Sequence, residues 1–150
     1  PHEATIKGDI VSVQLYDVDS VEELTDGVFI NTGSPHHIAF LEDVKNFPVV
    51  PEGKAIRYSE AYAPKGTNVN FVELEDGNAI FVRTYERGVE DETLSCGTGV
   101  TASLKGYKSP VIVHTLGGTL EVSFAVKGGG FSDIFLKGPA TPVYSGLIDV

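Results

Sequence analysis

The chain has 150 residues, of which 41% are hydrophobic, enough for one domain with a buried core and too few for two stable domains. Its 11 lysines and arginines against 21 aspartates and glutamates give a formal net charge of −10. This charge disfavours binding to a phosphate backbone, so no nucleic-acid partner is expected. The single cysteine cannot form an internal disulfide, and no apolar run reaches the ~18 residues of a membrane span. We therefore expect a cytoplasmic protein without a membrane partner.

Short β-rich runs separated by turn residues dominate the sequence. Glycine accounts for 17 of the 150 residues and lies mostly between these runs, which is typical of a turn-rich β domain. The predicted extended runs are 4–15 (two strands), 28–30, 68–74, 79–86, 110–115, 119–124, 131–136 and 143–150, with a loop at 31–37 and a break in order at 137–140. The predicted helical segments are a single turn at 21–24 capped by Asp19 and Ser20, a short surface helix at 51–60, and a helix at 100–105. Together they predict a β-dominated α+β fold with strands wrapped on one main helix.

The clearest local signal is a β-hairpin that joins the runs 68–74 and 79–86. The turn between them contains Asp-Gly, which favours a tight connection between two strands. Such a hairpin places Asn68, at the start of one strand, beside Glu86 and Arg87 at the end of the other. These polar groups alone would be typical of a solvated strand end. They indicate a functional site only if Cys96 lies near them.

Cys96 stands in the most informative context of the chain. It is followed by Gly97, Thr98 and Gly99, and then by the predicted helix. A helix N-terminus stabilises an anion, either a thiolate or a neighbouring carboxylate, and a cysteine so placed commonly has a pKa lowered to roughly 3.5–7.5. An inert packed cysteine is the alternative, but the glycines and the upstream Glu-Arg pair favour a reactive one.

His36 and His37 follow Pro35 in the predicted loop. Adjacent residues of an extended segment point in opposite directions, so they do not chelate one metal, and the other histidines lie far away in sequence. No metal site is expected. The functional alternative to a loop histidine is that His36 titrates near, or orients, a reacting centre.

Six segments resemble the C-terminal half of the diaminopimelate epimerase family, which are pyridoxal-independent isomerases of lysine biosynthesis. The matching segments are TGSPHHI at 32–38, GTNVNFVE at 66–73, RTYERG at 83–88, ETLSCGTGVTA at 92–102, TLGGTLEVSF at 115–124 and KGPATPVYSG at 137–146. They follow the family order over nearly the whole chain. The resemblance implies one half of the family fold, a β-barrel-like sheet around a central helix, and residues 1–150 as a single domain.

The resemblance also implies a mechanism without a cofactor. Two cysteines on opposite faces of the substrate Cα transfer a proton, converting LL-diaminopimelate into meso-diaminopimelate, and Cys96 corresponds to the cysteine of the second half. Glu86 corresponds to the acid/base beside it, and His36 to the residue that serves the other cysteine. The implied substrate contacts are Asn68, Arg87, Gly97, Thr98 and Ser34.

The segment carrying the other cysteine has no counterpart in this chain. Because one thiol supplies one base, we expect an excised C-terminal half that is inactive alone and pairs with the missing N-terminal half. The face that meets this half would promote self-association, for instance as a homodimer. At the position of Ser34 the family commonly has asparagine, so this substrate contact is the least supported of the set.

The residues alone leave three alternative functions open. A proline racemase-like or phenazine-type isomerase of the same fold would use a similar cysteine, although Asn68 and the Glu-Arg pair favour a substrate with a charged far end. A non-catalytic domain that binds an amino acid or assembles with a partner would not need an ionisable thiol. A cysteine hydrolase would need an oxyanion site that nothing in the sequence specifies. No cofactor is expected, because no phosphate-cradling loop is present.

Overall fold

The computed structural model describes residues 2–97, 99 and 107–148. Their strands form one mixed sheet with the order β1-β2-β11-β10-β9-β7-β6-β5-β4-β3, in which β8 pairs with the end of β7. The strands are β1 (Ala4–Lys7), β2 (Ile10–Gln14), β3 (Glu22–Leu24), β4 (Gly27–Asn31), β5 (Pro35–Phe40), β6 (Asn68–Glu75), β7 (Ala79–Glu86), β8 (Asp91–Thr93), β9 (Val111–Thr115), β10 (Gly118–Lys127) and β11 (Gly130–Pro139). The pairs β5–β6 and β7–β9 are parallel, and the others are antiparallel. A 3-10 helix, Val44–Asn46, and the helix α1, Val49–Arg57, lie between β5 and β6.

The sheet has two buried faces because successive strand residues point to opposite sides. One face, the large-core face, carries the cluster that includes Ile38, Val72 and Val82. The other, the helix face, carries Val69, Phe71 and Tyr85 and is covered by α1 and the 3-10 helix. The β-dominated α+β class is confirmed. The predicted helix 100–105 lies outside the described residues.

The predicted hairpin is confirmed as β6 and β7, with Glu75 opposite Ala79 across the turn. Gly77 and Asn78 both adopt positive φ, of 76° and 62°, which glycine and asparagine tolerate best. The Asn78 side chain donates to the Lys108 and Pro110 carbonyl oxygens, each at 2.6 Å. These bonds fasten the turn to the segment that leads into β9.

The β1–β2 hairpin over 4–15, the extended run at 28–30 and the hairpin of β9 and β10 are also confirmed. The surface helix predicted at 51–60 is present as α1, which begins two residues earlier and ends three residues earlier. Among the residues that the structure describes, no helix has both the length and the hydropathy required to span a membrane.

Four local predictions were wrong. Residues 21–24 are not a helical turn, because Glu22–Leu24 pairs with β4 as the strand β3. The loop predicted at 31–37 is shorter, because β5 begins at Pro35 and pairs with the end of β4. The order does not break at 137, since β11 continues to Pro139 opposite Ile10 of β2. Residues 143–148 form no strand, and their side chains are exposed.

Gly53 lets α1 lie directly on the helix face. A Cβ added at this position would lie 2.4 Å from the Cβ of Tyr85, an atom that cannot swing away. We expect Gly53→Ala to destabilise the protein by up to about 2 kcal/mol, because an overpacking cost of roughly 1–3 kcal/mol outweighs the ~1 kcal/mol gain in helix propensity. Chemical denaturation measures the change, and Lys54→Ala, on the exposed side of α1, is the matched control. A Gly53→Ala variant more stable than the wild type would contradict this packing.

Candidate active site

Polar side chains gather at one end of the large-core face, where β5 and β6 begin and β7 ends. His36 of β5 lies opposite Asn68 of β6, and Asn70 lies opposite Thr84 of β7. Strand alternation places Glu86 on the same face as Thr84, two residues further along β7. Most of this sheet surface is apolar, so a buried polar group at one end is a candidate site.

Ser34, Asn68 and Arg87 form one hydrogen-bonded group. The Asn68 side chain accepts the Arg87 backbone N–H at 2.9 Å and donates to the Ser34 Oγ and the Pro35 carbonyl, each at 2.9 Å. The Arg87 guanidinium also donates to the Ser34 Oγ, at 3.4 Å. The predicted juxtaposition of Asn68 and Arg87 is therefore confirmed. A guanidinium held in this way presents a planar set of donors that suits a carboxylate.

His36 is fully buried, with no exposed surface. Its pKa is lowered to about 4, first by burial and then by the positive charge of Arg87, so the ring is neutral at pH 7. Its Nδ1 lies 3.1 Å from the Asn70 side-chain nitrogen. Its Nε2 is buried and has no hydrogen-bond partner in the part of the chain that the structure describes.

His37 points to the other face of the sheet, as the alternation of an extended segment requires. Its Nδ1 lies 2.8 Å from the Tyr62 hydroxyl. Burial lowers the pKa of His37, and burial also raises the pKa of Tyr62 to about 12. Both residues line a pocket of about 840 Å³ between the β3–β4 hairpin and α1. None of the predicted site residues that the structure describes lines this pocket. His36 and His37 therefore lie in different environments, on opposite faces of the sheet.

Cys96 lies three residues after β8 and is half-buried. Gly97 and Gly99 have helical backbone geometry. A Cβ at Gly97 would lie 2.4 Å from the Leu136 side chain, and a Cβ at Gly99 would lie 2.0 Å from the Asn70 Oδ1. Gly99, three residues after Cys96, therefore packs against Asn70, the same side chain that contacts His36. Thr98 lies outside the described residues.

The turn that carries Arg87 is held by a cluster that the sequence reading missed. Glu90 accepts the Arg57 guanidinium at distances from 2.6 to 3.1 Å, the Tyr58 hydroxyl at 2.8 Å and the Gly88 N–H at 3.0 Å. The hydrogen bonds from Arg57, followed by that from Gly88, lower the pKa of Glu90 to about 2. Arg57 belongs to α1, 33 residues earlier, and no local pattern links it to Glu90.

Removing the Glu90 carboxylate should loosen this turn. We expect Glu90→Ala to raise the hydrogen-exchange rate of the Gly88 amide about tenfold, because its acceptor is lost, while the amides in the middle of β6 are unaffected. Exchange measured by NMR tests this, with Glu42→Ala on an exposed loop as the control. Equal protection of Gly88 in both variants would show that Glu90 does not hold the turn.

A second arginine fastens the strand that leads to Cys96. Arg83 of β7 forms a two-pronged ion pair with Glu92 of β8, at 2.6 and 2.7 Å. It also donates to the backbone carbonyls of Val44, Lys45 and Phe47, at 2.9 to 3.1 Å. Charge-assisted bonds of this geometry are among the strongest in proteins. Arg83 thereby fixes Glu92 of β8, four residues before Cys96, relative to the 3-10 helix.

Comparison with protein families and relatives identifies the family to which the sequence is similar. Residues 28–143 match the family model of diaminopimelate epimerase. The chain is 46% identical to the diaminopimelate epimerase of Flavobacterium psychrophilum, over 98% of this chain and 60% of that protein. It is 48% identical to the diaminopimelate epimerase of Aquifex aeolicus, over 81% of this chain and 46% of that protein. The chain thus spans 60% or less of the length of these relatives.

Solved structures support the same architecture. A hydroxyproline epimerase from Agrobacterium vitis, with bound trans-4-hydroxy-L-proline, aligns with a TM-score of 0.63 at 14% identity, over 92% of this chain and 52% of that one. A probable proline racemase from Agrobacterium radiobacter K84, with bound carbonate, aligns with a TM-score of 0.63 at 15% identity, over 97% of this chain and 56% of that one. At these identities the likeness concerns the fold.

Proposed function

Because the chain belongs to the diaminopimelate epimerase family, we propose that it is the C-terminal half of a cofactor-independent enzyme that converts LL-diaminopimelate into meso-diaminopimelate. The observation that carries the proposal is the group formed by Ser34, Asn68 and Arg87 on the same sheet end as His36. This group offers donors that suit a carboxylate, which fits a substrate with two amino-acid ends. The relatives' greater length supports the existence of a first half.

In the proposed reaction, Cys96 acts on one face of the substrate Cα and a cysteine of the missing half acts on the other. One thiolate removes the Cα proton and becomes a thiol, while the opposite thiol delivers its proton to the other face and becomes a thiolate. Glu86 polarises the site as an acid/base, and His36 serves the cysteine of the other half. Inversion needs both faces, so the chain does not epimerise by itself.

The substrate is held at both ends. Backbone N–H groups of Gly97 and Thr98 bind the α-carboxylate at the reacting centre. Asn68 and Arg87 bind the distal amino-acid group, where the arginine fork pairs with the carboxylate. Ser34 accepts hydrogen bonds from both Asn68 and Arg87, which supports a role in orienting these two residues.

Exchange of the substrate α-proton in deuterated water, followed by NMR, tests this function. We expect the chain combined with the missing half to exchange and invert diaminopimelate, and to leave proline and trans-4-hydroxyproline unchanged. Exchange of the two proline substrates without diaminopimelate would assign the site to the racemase alternative. Conversion of LL- to meso-diaminopimelate by the 150-residue chain alone would overturn its role as a half-enzyme.

The last described segment supports a partner surface. Val143, Tyr144, Leu147 and Ile148 are more than four-fifths exposed, and large apolar side chains are usually covered. We propose that the missing half covers them. The chain alone is therefore expected to self-associate as concentration rises, which sedimentation velocity measures. The variant Val143→Ser with Leu147→Ser should shift the distribution towards monomer, and a wild-type chain that stays strictly monomeric would contradict the idea.

A further inference from the structure

Asn70 is a fully buried polar residue with no role in the proposed reaction so far. Its side-chain nitrogen lies 3.1 Å from the His36 Nδ1 and donates to the His37 carbonyl at 3.4 Å. Its side-chain oxygen accepts the Thr84 hydroxyl at 2.9 Å. The same oxygen lies against Gly99, where no Cβ would fit. Asn70 therefore contacts both His36 and the segment after Cys96.

The orientation of the Asn70 amide follows from its partners. The His37 backbone carbonyl can only accept a hydrogen bond, so the amide atom facing it must be the NH₂ group. The opposite side then presents the oxygen, which the Thr84 hydroxyl satisfies. The group that faces the His36 Nδ1 is therefore a donor.

A donor at this position determines where His36 carries its proton. The Nδ1 must accept from Asn70, so it holds no proton itself. A neutral imidazole has one proton, and it then resides on Nε2. This N–H is buried on the far side of the ring, without a hydrogen-bond partner among the described residues. A buried, unpaired donor is costly unless an acceptor arrives from elsewhere.

We propose that Asn70, held by Thr84, is a positioning residue that fixes His36 as the Nε2–H tautomer and presents that N–H to an acceptor in the closed active site. The proposal rests on the proposed function for the identity of the acceptor, the thiolate of the cysteine from the other half. His36 then stabilises this thiolate as a hydrogen-bond donor. It does not remove the thiol proton, because Nδ1 is occupied by Asn70 and Nε2 already carries a hydrogen. His36 therefore has an orienting role, and the two cysteines carry out the proton transfers.

Gly99 extends this arrangement to Cys96. Because the backbone of Gly99 packs on the Asn70 oxygen, one amide supports both the histidine that serves the first cysteine and the segment that follows the second. Any side chain at position 99 would push Asn70 away from His36. In the proposed reaction, the buried Asn70 therefore supports groups on both faces of the substrate Cα.

The tautomer is measured directly by long-range ¹H–¹⁵N correlation spectra of the ¹⁵N-labelled chain at pH 7. The wild type is expected to show an unprotonated His36 Nδ1 and a protonated Nε2. Asn70→Asp replaces the donor by an acceptor, so the His36 Nδ1 should become protonated, and Gly99→Ala should give a mixture of tautomers. Asn46→Asp, at an exposed amide that contacts Asp43, is the matched control and should leave the His36 signals unchanged.

A wild-type ring protonated on Nδ1, or an unchanged Nε2–H tautomer in Asn70→Asp, would overturn the proposal. Circular dichroism checks that each variant folds, and the wild-type spectrum decides the question even if a variant does not. In the enzyme with both halves, Asn70→Asp should lower kcat about 10–100-fold with little change in KM. A correct tautomer in an enzyme that does not turn over diaminopimelate would refute the proposed function and leave the Asn70 assignment intact.

Discussion

Replacing Cys96 by serine is expected to lower the rate of diaminopimelate epimerisation by the complete enzyme by roughly 10²–10⁴-fold. A serine hydroxyl is not deprotonated near neutral pH, so the base on one face of the substrate Cα is lost, and a positioned acid–base group contributes a factor of this size. The KM should change less than kcat, because the groups proposed to bind the two substrate ends remain. Rates of LL-to-meso and meso-to-LL conversion measure the effect.

The matched control for this variant is Ser95→Ala, which changes the exposed neighbour of Cys96 and removes no thiol. Both variants should unfold at the same denaturant concentration as the wild type, which would exclude a packing defect as the cause. Full activity in Cys96→Ser would show that the cysteine is only a small packed side chain. Full loss in Ser95→Ala would show that the segment cannot be altered without disturbing the site.

Lowering the pH from 7 towards 4 is expected to reduce the free energy of unfolding by on the order of 3 kcal/mol through His36 alone. In the unfolded chain the pKa of this side chain is 6.5, whereas in the folded protein burial and Arg87 lower the pKa to about 4. Between these values the unfolded state binds more protons than the folded state. Stability therefore falls as the pH falls through this window, and levels off below it.

Urea denaturation at pH values from 4.5 to 7 measures this dependence, in a range where Glu90, whose pKa is about 2, stays ionised. His36→Asn should reduce the dependence of the free energy of unfolding on pH, whatever its effect on stability at pH 7. The control His114→Asn alters a half-exposed ring beside Glu75 and should keep the wild-type contribution from His36. An unchanged slope in His36→Asn would show that the ring already accepts a proton in the folded protein.

Features that depend on neighbouring residues were predictable from the sequence. The β6–β7 hairpin follows from two β-rich runs and an Asp-Gly turn, and it places Asn68 beside Arg87 without further information. The resemblance to the family is the source of the roles proposed for Cys96 and His36, which local patterns leave open. Segment 21–24 shows the limit of local reasoning, because pairing with β4 outweighed its helix-capping signal.

Features that depend on distant residues were not predictable. The bond between Arg57 and Glu90 joins positions 33 residues apart, and the extension of β11 to Pro139 depends on β2 near the start of the chain. Asn70 looked like one more polar position in a β-rich run. Only the register of three strands shows that it faces His36 and Thr84, so its chemistry follows from the sheet and not from its sequence neighbours.

The position of β11 has a consequence for how the chain folds during synthesis. In the described sheet order, β1 and β2 join the other strands through β11, so Leu136 meets Val13 across more than a hundred residues of chain. During synthesis the β1–β2 hairpin emerges from the ribosome more than a hundred residues before β11, the strand that pairs with it. Closing so large a loop is slow, and strands that wait unpaired are prone to association with other chains. A nascent chain stalled before residue 130 should therefore hold β1 and β2 in a protease-sensitive state, and release of β11 should protect them.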